Sequence, residues 1–471
     1  MSHSAELKDF VEKLDGAPIL IFGLGRSGMS SAKVLKAAGA NIIVGDDNAN
    51  NLEKARKAGF DLLDLKTADC SKFAFLLLSP GIPFTHPTPH EVVKRAQDAD
   101  IEIICDVELF SRVYPKINTI GVTGTNGKST TSSLINYVLN ETGKKALLGG
   151  NIGTPVFDLK VKDENTWVVI EMSSFQIDLC PNFRPDISVL LNISPDHIDR
   201  HGSMENYCAV KEKIIQISQN EEYNLAVICS DDPHTQKIYD RAKGLRLRNI
   251  YEISTDKEIH NGVYVSDDVL HDAIDGGDEQ YGGLDKVQSL KGAHNYQNAA
   301  AAFAVVKLCG VAPSDIWHAM QSFPGLNHRQ YLVRTINGVT YINDSKSTNA
   351  ASAAVALGCR NNVYWIVGGR KKKNGLEGLE EFFPRIKHAF LIGESTEDFA
   401  QWFDKYGMEY TRCYDLKKAL SESHEMAQKN RGQPGGAGTV LLSPACASFD
   451  QFDSFEHRGD VFTQIVTALD E

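Results

Sequence analysis

At 471 residues the chain is longer than one hydrophobic core usually serves, since cores stop growing at about 250 to 300 residues, and two to four domains are expected. With 42% hydrophobic and 23% charged residues it has the make-up of an ordinary folded protein, which excludes a fibre or a wholly disordered chain. The formal charge of -12 works against nucleic acid or an anionic membrane as a partner, so any polyanion must be held locally by backbone amides and a few placed cations.

The opening segment, Met1 to Asp15, mixes Glu6, Lys8, Asp9, Glu12 and Lys13 with apolar residues and reads as a first helix, without the basic start and apolar run of a secretion signal. No apolar stretch approaches the roughly 20 residues needed to span a bilayer. The expected setting is the cytoplasm, with no membrane and no nucleic acid as partner. The nine cysteines stand singly, with no C-x-x-C pair, and are assigned to packing rather than to zinc or disulfides.

Ile19 to Phe22 reads as an apolar strand, followed by Gly23, Gly25 and Gly28 in G-x-G-x-x-G spacing and an amphipathic helix. A second strand, Ile42 to Val44, leads to Asp46. Glycines let backbone amides approach a diphosphate at a helix N-terminus, and an acidic residue about 20 positions on can hold a sugar or base. The fingerprint alone leaves a nicotinamide cofactor, another nucleotide and simple close packing open. Leu76 to Leu78 is a strand ending in the turn Ser79, Pro80, Gly81 and Ile82; Ile101 to Ile104 is a further strand, and Asp106 to Ser111 is expected as a connector to the next domain.

Ile117 to Val122 then reads as a strand before Thr123, Gly124, Thr125, Asn126, Gly127, Lys128, Ser129 and Thr130, with a helix following. Successive backbone N–H groups and the helix dipole would cradle phosphates, Lys128 would neutralise the terminal ones, and the Ser129 hydroxyl could ligate magnesium, so ATP is the expected ligand. Val122 stands where the strict pattern has its first glycine. Trp167 to Ile170 is a buried-looking strand ending at Glu171, placed to hold magnesium, and Ile187 to Asn192 delivers Asp196, His197, Asp199 and Arg200 into the next loop. On the helix expected over 204–217, Tyr207, Val210, Ile214 and Ile217 share one face; spacing puts Lys211 at its border as a solvated side chain. The stretch 220–290 alternates short strands with polar segments, and Ala299 to Leu308 is a helix whose small side chains suit close packing.

Tyr331 to Ile336 and Val339 to Ile342 flank Asn337-Gly338, a hairpin signal, and the second strand runs into the polar segment Asn343 to Asn349. Strands at Val363 to Val367, Ala389 to Ile392 and Thr439 to Leu442 complete a further α/β domain. The whole reads as an α/β protein of three domains: a Rossmann-like first domain over 1–107, a central P-loop ATPase-like domain with a parallel sheet over 108–325, and a Rossmann-like third domain over 326–471.

Taken together, G-L-G-R-S-G from Gly23, S-P-G-I from Ser79, T-G-T-N-G-K-S-T from Thr123, G-N-I-G from Gly150, E-M-S-S-F-Q from Glu171, D-H-I-D-R from Asp196, H-N-Y-Q-N from His294, G-L-N-H-R from Gly325, N-D-S-K-S-T-N from Asn343 and S-P-A-C-A-S-F-D-Q-F from Ser443 resemble the Mur ligases over the whole chain. The last two segments are similar to those of the members that add D-glutamate. The resemblance implies an ATP-dependent ligase that joins D-glutamate to UDP-N-acetylmuramoyl-L-alanine through an acyl phosphate, and it makes nicotinamide unnecessary. It implies that Gly25, Arg26, Ser27, Asp46, Ser79, Gly81, Asn151, Ser173 and Gln176 bind the UDP substrate. ATP would lie on Gly124 to Thr130, with Asn298, Arg329 and Asp344. Lys128, His197 and Lys211 would be catalytic, with two magnesium ions at Ser129, Glu171, His197 and a carbamylated Lys211. D-Glutamate would be held by Lys346, Thr348, Lys372, Ser448 and Phe455. The chain departs from the family pattern at Arg370, where an acidic residue is expected. A monomer is expected.

Overall fold

The computed structural model of the protein describes residues 3–64, 69–216, 224–245, 249–290, 292–371, 375–433 and 437–470. They form two compact units, Met1–Leu284 with Ala293–Gln321 and Asp285–Gly292 with Ser322–Glu471.

The first unit contains two sheets. The first is built of β1 (Ile19–Phe22), β2 (Ile42–Gly45), β3 (Asp61–Leu62), β4 (Leu76–Leu78) and β5 (Ile103–Ile104). They are parallel throughout, in the order β3-β2-β1-β4-β5. β1 and β4 are buried at every position, which is why both are unbroken apolar runs rather than alternating ones. The strand order reverses between β1 and β4, and a parallel sheet opens a ligand crevice at such a reversal. The two loops leaving it touch: a Cβ on Gly23 would lie 2.4 Å from Ser79 Cβ. Gly28 packs even closer, since its added Cβ would sit 2.0 Å from the Gly23 carbonyl oxygen. Gly28→Ala is therefore expected to cost about 1–3 kcal/mol of stability, measured by denaturant unfolding.

The second sheet comprises β6 (Thr119–Thr123), β7 (Ala146–Gly150), β8 (Trp167–Glu171), β9 (Ile187–Leu190), β10 (Leu225–Cys229), β11 (Asn249–Ser254), β12 (Gly262–Ser266), β13 (Val269–Asp272) and β14 (Glu279–Gly283). Its order is β14-β13-β12-β11-β10-β9-β6-β8-β7, antiparallel only at β12-β13-β14. β6 lies between β9 and β8, so the order reverses around the strand that feeds the glycine loop. The helix Ala293–Leu308 packs against the helix Lys128–Glu141, and its Ala299 to Ala301 are fully buried.

Two expectations are corrected here. Residues 106–111 are not a connector but part of the helix Asp106–Val113, because Leu109, Phe110 and Val113 share a buried face and Asp106 and Glu108 sit favourably in its first turn. The stretch 220–290 also contains the helix Pro233–Leu245, anchored by buried Ile238, Tyr239 and Ala242.

The second unit carries β15 (Tyr331–Ile336), β16 (Val339–Asn343), β17 (Val363–Gly368), β18 (Ile386–Ile392), β19 (Tyr410–Tyr414) and β20 (Thr439–Leu442), in the order β15-β16-β20-β17-β18-β19. The pair β15-β16 is antiparallel and turns through Asn337 and Gly338, both at positive φ as a tight hairpin demands; the other pairs are parallel. Its core includes Trp365, Phe390, Phe403 and Phe462, all fully buried. Among the described residues no helix is long and apolar enough to cross a membrane, and the cysteines are free, most of them buried.

Candidate active site

β6 ends at Thr123 and the loop Gly124 to Gly127 passes into the helix beginning at Lys128. Gly127 has φ +83°, and a Cβ there would lie 2.2 Å from Asn298 Oδ1, so only glycine closes this turn. The loop is braced from two neighbouring elements. Thr125 N–H donates to the Asn192 carbonyl and Asn126 N–H to Asn192 Oδ1, each at 2.8 Å, while Asn192 Nδ2 donates to Asn126 O at 3.2 Å. Asn298 Oδ1 accepts from Thr131 Oγ1 at 3.1 Å. Thr130 is buried and Ser129 half-buried in the first turn of the helix. The Lys128 ammonium folds back onto the loop, donating to the Gly124 carbonyl at 2.9 Å and the Thr125 carbonyl at 2.7 Å.

Lys211 overturns the reading from spacing. It is 1% exposed, and its ammonium donates to the same Gly124 carbonyl at 2.9 Å and to Thr123 Oγ1 at 3.3 Å, with the Tyr207 ring 4.9 Å away. The helix Met204–Glu212 gives way to a 3-10 turn, Lys213–Ile215, and is buried on the flank that carries Tyr207, Val210 and Lys211. Heptad-like spacing sees one covered face, whereas here the sheet also covers its border. Burial, helped by the nearby Lys128 charge, brings the Lys211 amine down to about 7. The Lys128 ammonium and the backbone N–H groups of the loop make it a site suited to anions.

Glu171, at the end of β8, is buried; its Oε1 accepts from Asn151 Nδ2 at 2.7 Å while Oε2 has no partner. In the sheet Glu171 pairs with Val122, directly before the phosphate loop. A buried carboxylate oxygen without a donor fits a cation beside phosphate. Among the described residues no three of His, Cys, Asp or Glu gather as a ready metal nest.

His197 follows β9 in a left-handed conformation, φ +52°, half-exposed, with its ring 4.8 Å from that of Phe175 and its Nε2 3.4 Å from Asp196 Oδ2. Phe175 also stacks on His201 at 5.5 Å and carries the Arg200 guanidinium at 4.5 Å. His201 is buried against Ser174 Oγ at 2.9 Å, and burial lowers its pKa. Arg200 donates to the carbonyls of Pro80, Gly81 and Ile82 at 3.3, 3.2 and 3.0 Å, so the segment after β9 grips the turn after β4.

The residues expected at the UDP substrate lie on the elements around that turn and on the first glycine loop. The helix Arg26–Ala37 starts with Gly25 at its cap, Arg26 exposed and Ser27 half-buried, and Asp46 accepts from Leu24 N–H, Asn48 N–H and Asn51 Nδ2 to brace the glycine loop. Ser173 and Gln176 form a reciprocal capping box on the helix Ser174–Asp178. Between these elements lies Asp106, buried, whose carboxyl oxygens make no well-formed hydrogen bond and have only loosely placed donors near them. Burial raises its pKa, offset only in part by Val107 N–H and the Ser27 and Gln176 side chains. Sequence reasoning missed Asp106 and gave no role to Asn192 or Arg200; a polar residue directly after an apolar strand was the available signal for Asn192.

In the second unit, Asp344 after β16 is buried, accepting from Gln330 N–H at 3.0 Å, from Ser443 Oγ at 2.8 Å and from Ser347 Oγ. Burial raises its carboxyl to about 6. Lys346 and Thr348 are half-buried on the same segment, with Lys346 N–H on the His328 carbonyl at 2.8 Å. Ser448 follows β20 and is 2% exposed; Phe455 opens the helix Phe455–Thr467, and Arg329 is exposed. Arg370, where an acid was expected, pairs with Glu394 at 2.8 Å. Lys372 lies outside the described residues.

Residues 122–306 match the Mur ligase middle domain. Over 465 residues the chain is 43% identical to the UDP-N-acetylmuramoylalanine--D-glutamate ligase of Brucella abortus (strain 2308), covering 98% of this chain and 97% of that one. The chain belongs to the Mur ligase family. Its fold matches those of solved relatives. The UDP-N-acetylmuramoylalanyl-D-glutamyl-2,6-diaminopimelate--D-alanyl-D-alanyl ligase from Acinetobacter baumannii aligns with this Mur ligase over 98% of both chains, with TM-score 0.56 at 15% identity. The UDP-N-acetylmuramate-alanine ligase MurC from Thermotoga maritima aligns over 96% of this chain and 99% of its own, with TM-score 0.55 at 15% identity. At that identity the likeness speaks for the three-sheet α/β fold alone.

Proposed function

We propose that this Mur ligase is the ATP-dependent enzyme that joins D-glutamate to UDP-N-acetylmuramoyl-L-alanine, releasing ADP and phosphate, in the assembly of peptidoglycan. The observation that carries the reaction type is the pair of lysines on the Gly124 carbonyl beside the unpartnered Glu171 oxygen; the amino acid follows from the activity named for relatives that match its full length.

A substrate carboxylate is a poor electrophile, so its oxygen first takes the terminal phosphoryl group of ATP, giving an acyl phosphate and ADP. Lys128 and the loop amides Gly124 to Thr130 offset the repulsion between the two anions. Magnesium, which Ser129, Glu171, His197 and a carbamylated Lys211 would hold in two sites, supplies further neutralisation of phosphate oxygens. The neutral amine of D-glutamate then adds to the acyl carbon, the tetrahedral adduct expels phosphate, and an amide remains. His197 is the candidate acceptor of the proton that the amine loses.

In this reading 1–107 binds the UDP portion, with Gly25, Arg26 and Ser27 at the diphosphate, Asp46 toward the base, and Ser79, Gly81, Asn151, Ser173 and Gln176 completing the site. Residues 108–325 hold ATP with Asn298, aided by Arg329 and Asp344. The part 326–471 holds D-glutamate through Lys346, Thr348, Lys372, Ser448 and Phe455, whose cations and hydroxyls pair with its carboxylates. The protein acts as a cytoplasmic monomer.

The test is phosphate release in mixtures lacking one component in turn. Turnover is expected only with UDP-N-acetylmuramoyl-L-alanine, D-glutamate, ATP and magnesium together, and D-glutamate is expected to outperform every other amino acid in a panel. Release that ignores the amino acid would overturn the reading. Glu171→Gln is expected to raise the magnesium concentration for half-maximal activity by about tenfold or more, read from a metal titration.

A further inference from the structure

In the second unit the segments after β16 and β20 leave the C-terminal ends of neighbouring parallel strands. Arg458, on the helix Phe455–Thr467, ties them together. It is 1% exposed. Its Nε donates to Ser345 Oγ at 2.9 Å, and its Nη2 donates to the Ser345 carbonyl at 2.9 Å and the Cys446 carbonyl at 3.1 Å. Ser345 Oγ donates in turn to the Phe455 carbonyl at 2.8 Å, and Asn343 Nδ2 reaches the Gly459 carbonyl at 2.8 Å, so one helix turn fixes the whole segment. Arg458 Nη1 has no partner and lies against the backbone after β17, where a Cβ on Gly369 would be 3.3 Å away.

All three acceptors of the guanidinium are uncharged. The carboxylates that act on it, Asp450 and Asp344, are engaged elsewhere, Asp450 by Glu394 N–H and Asp344 by Gln330, Ser347 and Ser443. Burial pulls the guanidinium down to about 10, which leaves it charged at neutral pH. A buried cation answered by neutral groups is costly, and an apolar side chain of like volume packs the same space with less penalty. A fold that keeps the cation here gains something other than stability: a fixed fork between two segments, and a positive field directly behind them.

We propose that Arg458 is a positioning residue for the amino-acid substrate, setting the separation of the Ser345–Lys346 and Cys446–Ser448 segments so that both carboxylates of a dicarboxylic amino acid are met together. The inference rests on the reading of these segments as the D-glutamate site. Arg458→Lys keeps the charge and gives up the fork; Arg458→Met keeps the bulk and gives up both.

With each substrate varied in turn, the KM for D-glutamate is expected to rise about tenfold or more in Arg458→Lys and further in Arg458→Met, while the KM values for ATP and the UDP substrate stay within about twofold. Ser345→Ala, a small change that removes the hydroxyl shared by Arg458 and Phe455, is expected to move the D-glutamate KM in the same direction, and it decides the matter if the arginine variants fail to fold. Equal rises in all three KM values, or an unchanged D-glutamate KM in Ser345→Ala, overturn the proposal. Absence of D-glutamate-dependent phosphate release in the unaltered protein overturns the functional reading instead.

Discussion

Lys128→Ala is expected to lower kcat by about a thousandfold or more, with the hydroxylamine-trappable acyl phosphate disappearing in parallel. Two anions, a carboxylate and a triphosphate, must meet before any bond changes. The Lys128 ammonium already sits in the glycine loop on the Gly124 and Thr125 carbonyls. Its removal leaves the loop amides to bind nucleotide but takes away the charge that grows in value as the phosphoryl group moves, so kcat should suffer far more than the KM for ATP. Turnover near that of the unaltered protein would remove the phosphate-loop assignment.

Lys211→Ala is expected to lose at least about a hundredfold in activity, and to regain part of it in millimolar acetate or formate. The argument starts from proton occupancy. An exposed lysine with a pKa of about 10.4 is neutral in only about one molecule in 2,500 at pH 7, whereas the buried Lys211 amine, brought down to about 7, is neutral in about half. Only a neutral amine attacks carbon dioxide; its nitrogen bonds the carbon, one proton leaves, and a carbamate anion stands where a cation was. Protonation competes with this below pH 7, so the bicarbonate needed for full activity should increase as pH falls through that value. Activity indifferent both to bicarbonate in degassed buffer and to added carboxylates would leave Lys211 a structural amine.

The central strands of the parallel sheets were legible because burial on both faces demands apolar runs: Ile19 to Phe22, Leu76 to Leu78 and Thr439 to Leu442 stand where the residues put them. The Asn337-Gly338 hairpin was legible because its turn needs positive φ at both positions. The edge strands β3, β7 and β19, only partly buried, went unread, and so did what depends on a second layer. Helical spacing left Lys211 on a solvated border because it cannot see the sheet covering that border, and the helix Asp106–Val113 hid behind its acidic start. The phosphate loop itself could be read from Gly124 to Ser129, but the side chains that hold it in shape, Asn192 and Asn298, arrive from elements far along the chain. Arg458 looks like one more helix cation in the sequence; only its burial between two loops distinguishes it.

The joint made by Arg200 has an evolutionary corollary. Its partners at positions 80–82 are peptide oxygens, which every amino acid possesses. Mutation can therefore wander through that turn without loosening the joint, provided the backbone keeps its course. No such latitude exists on the other side, because spanning three oxygens while standing over the Phe175 ring takes a planar, multiply-donating head that lysine does not have. Variation should accumulate on one half of this joint and be forbidden on the other.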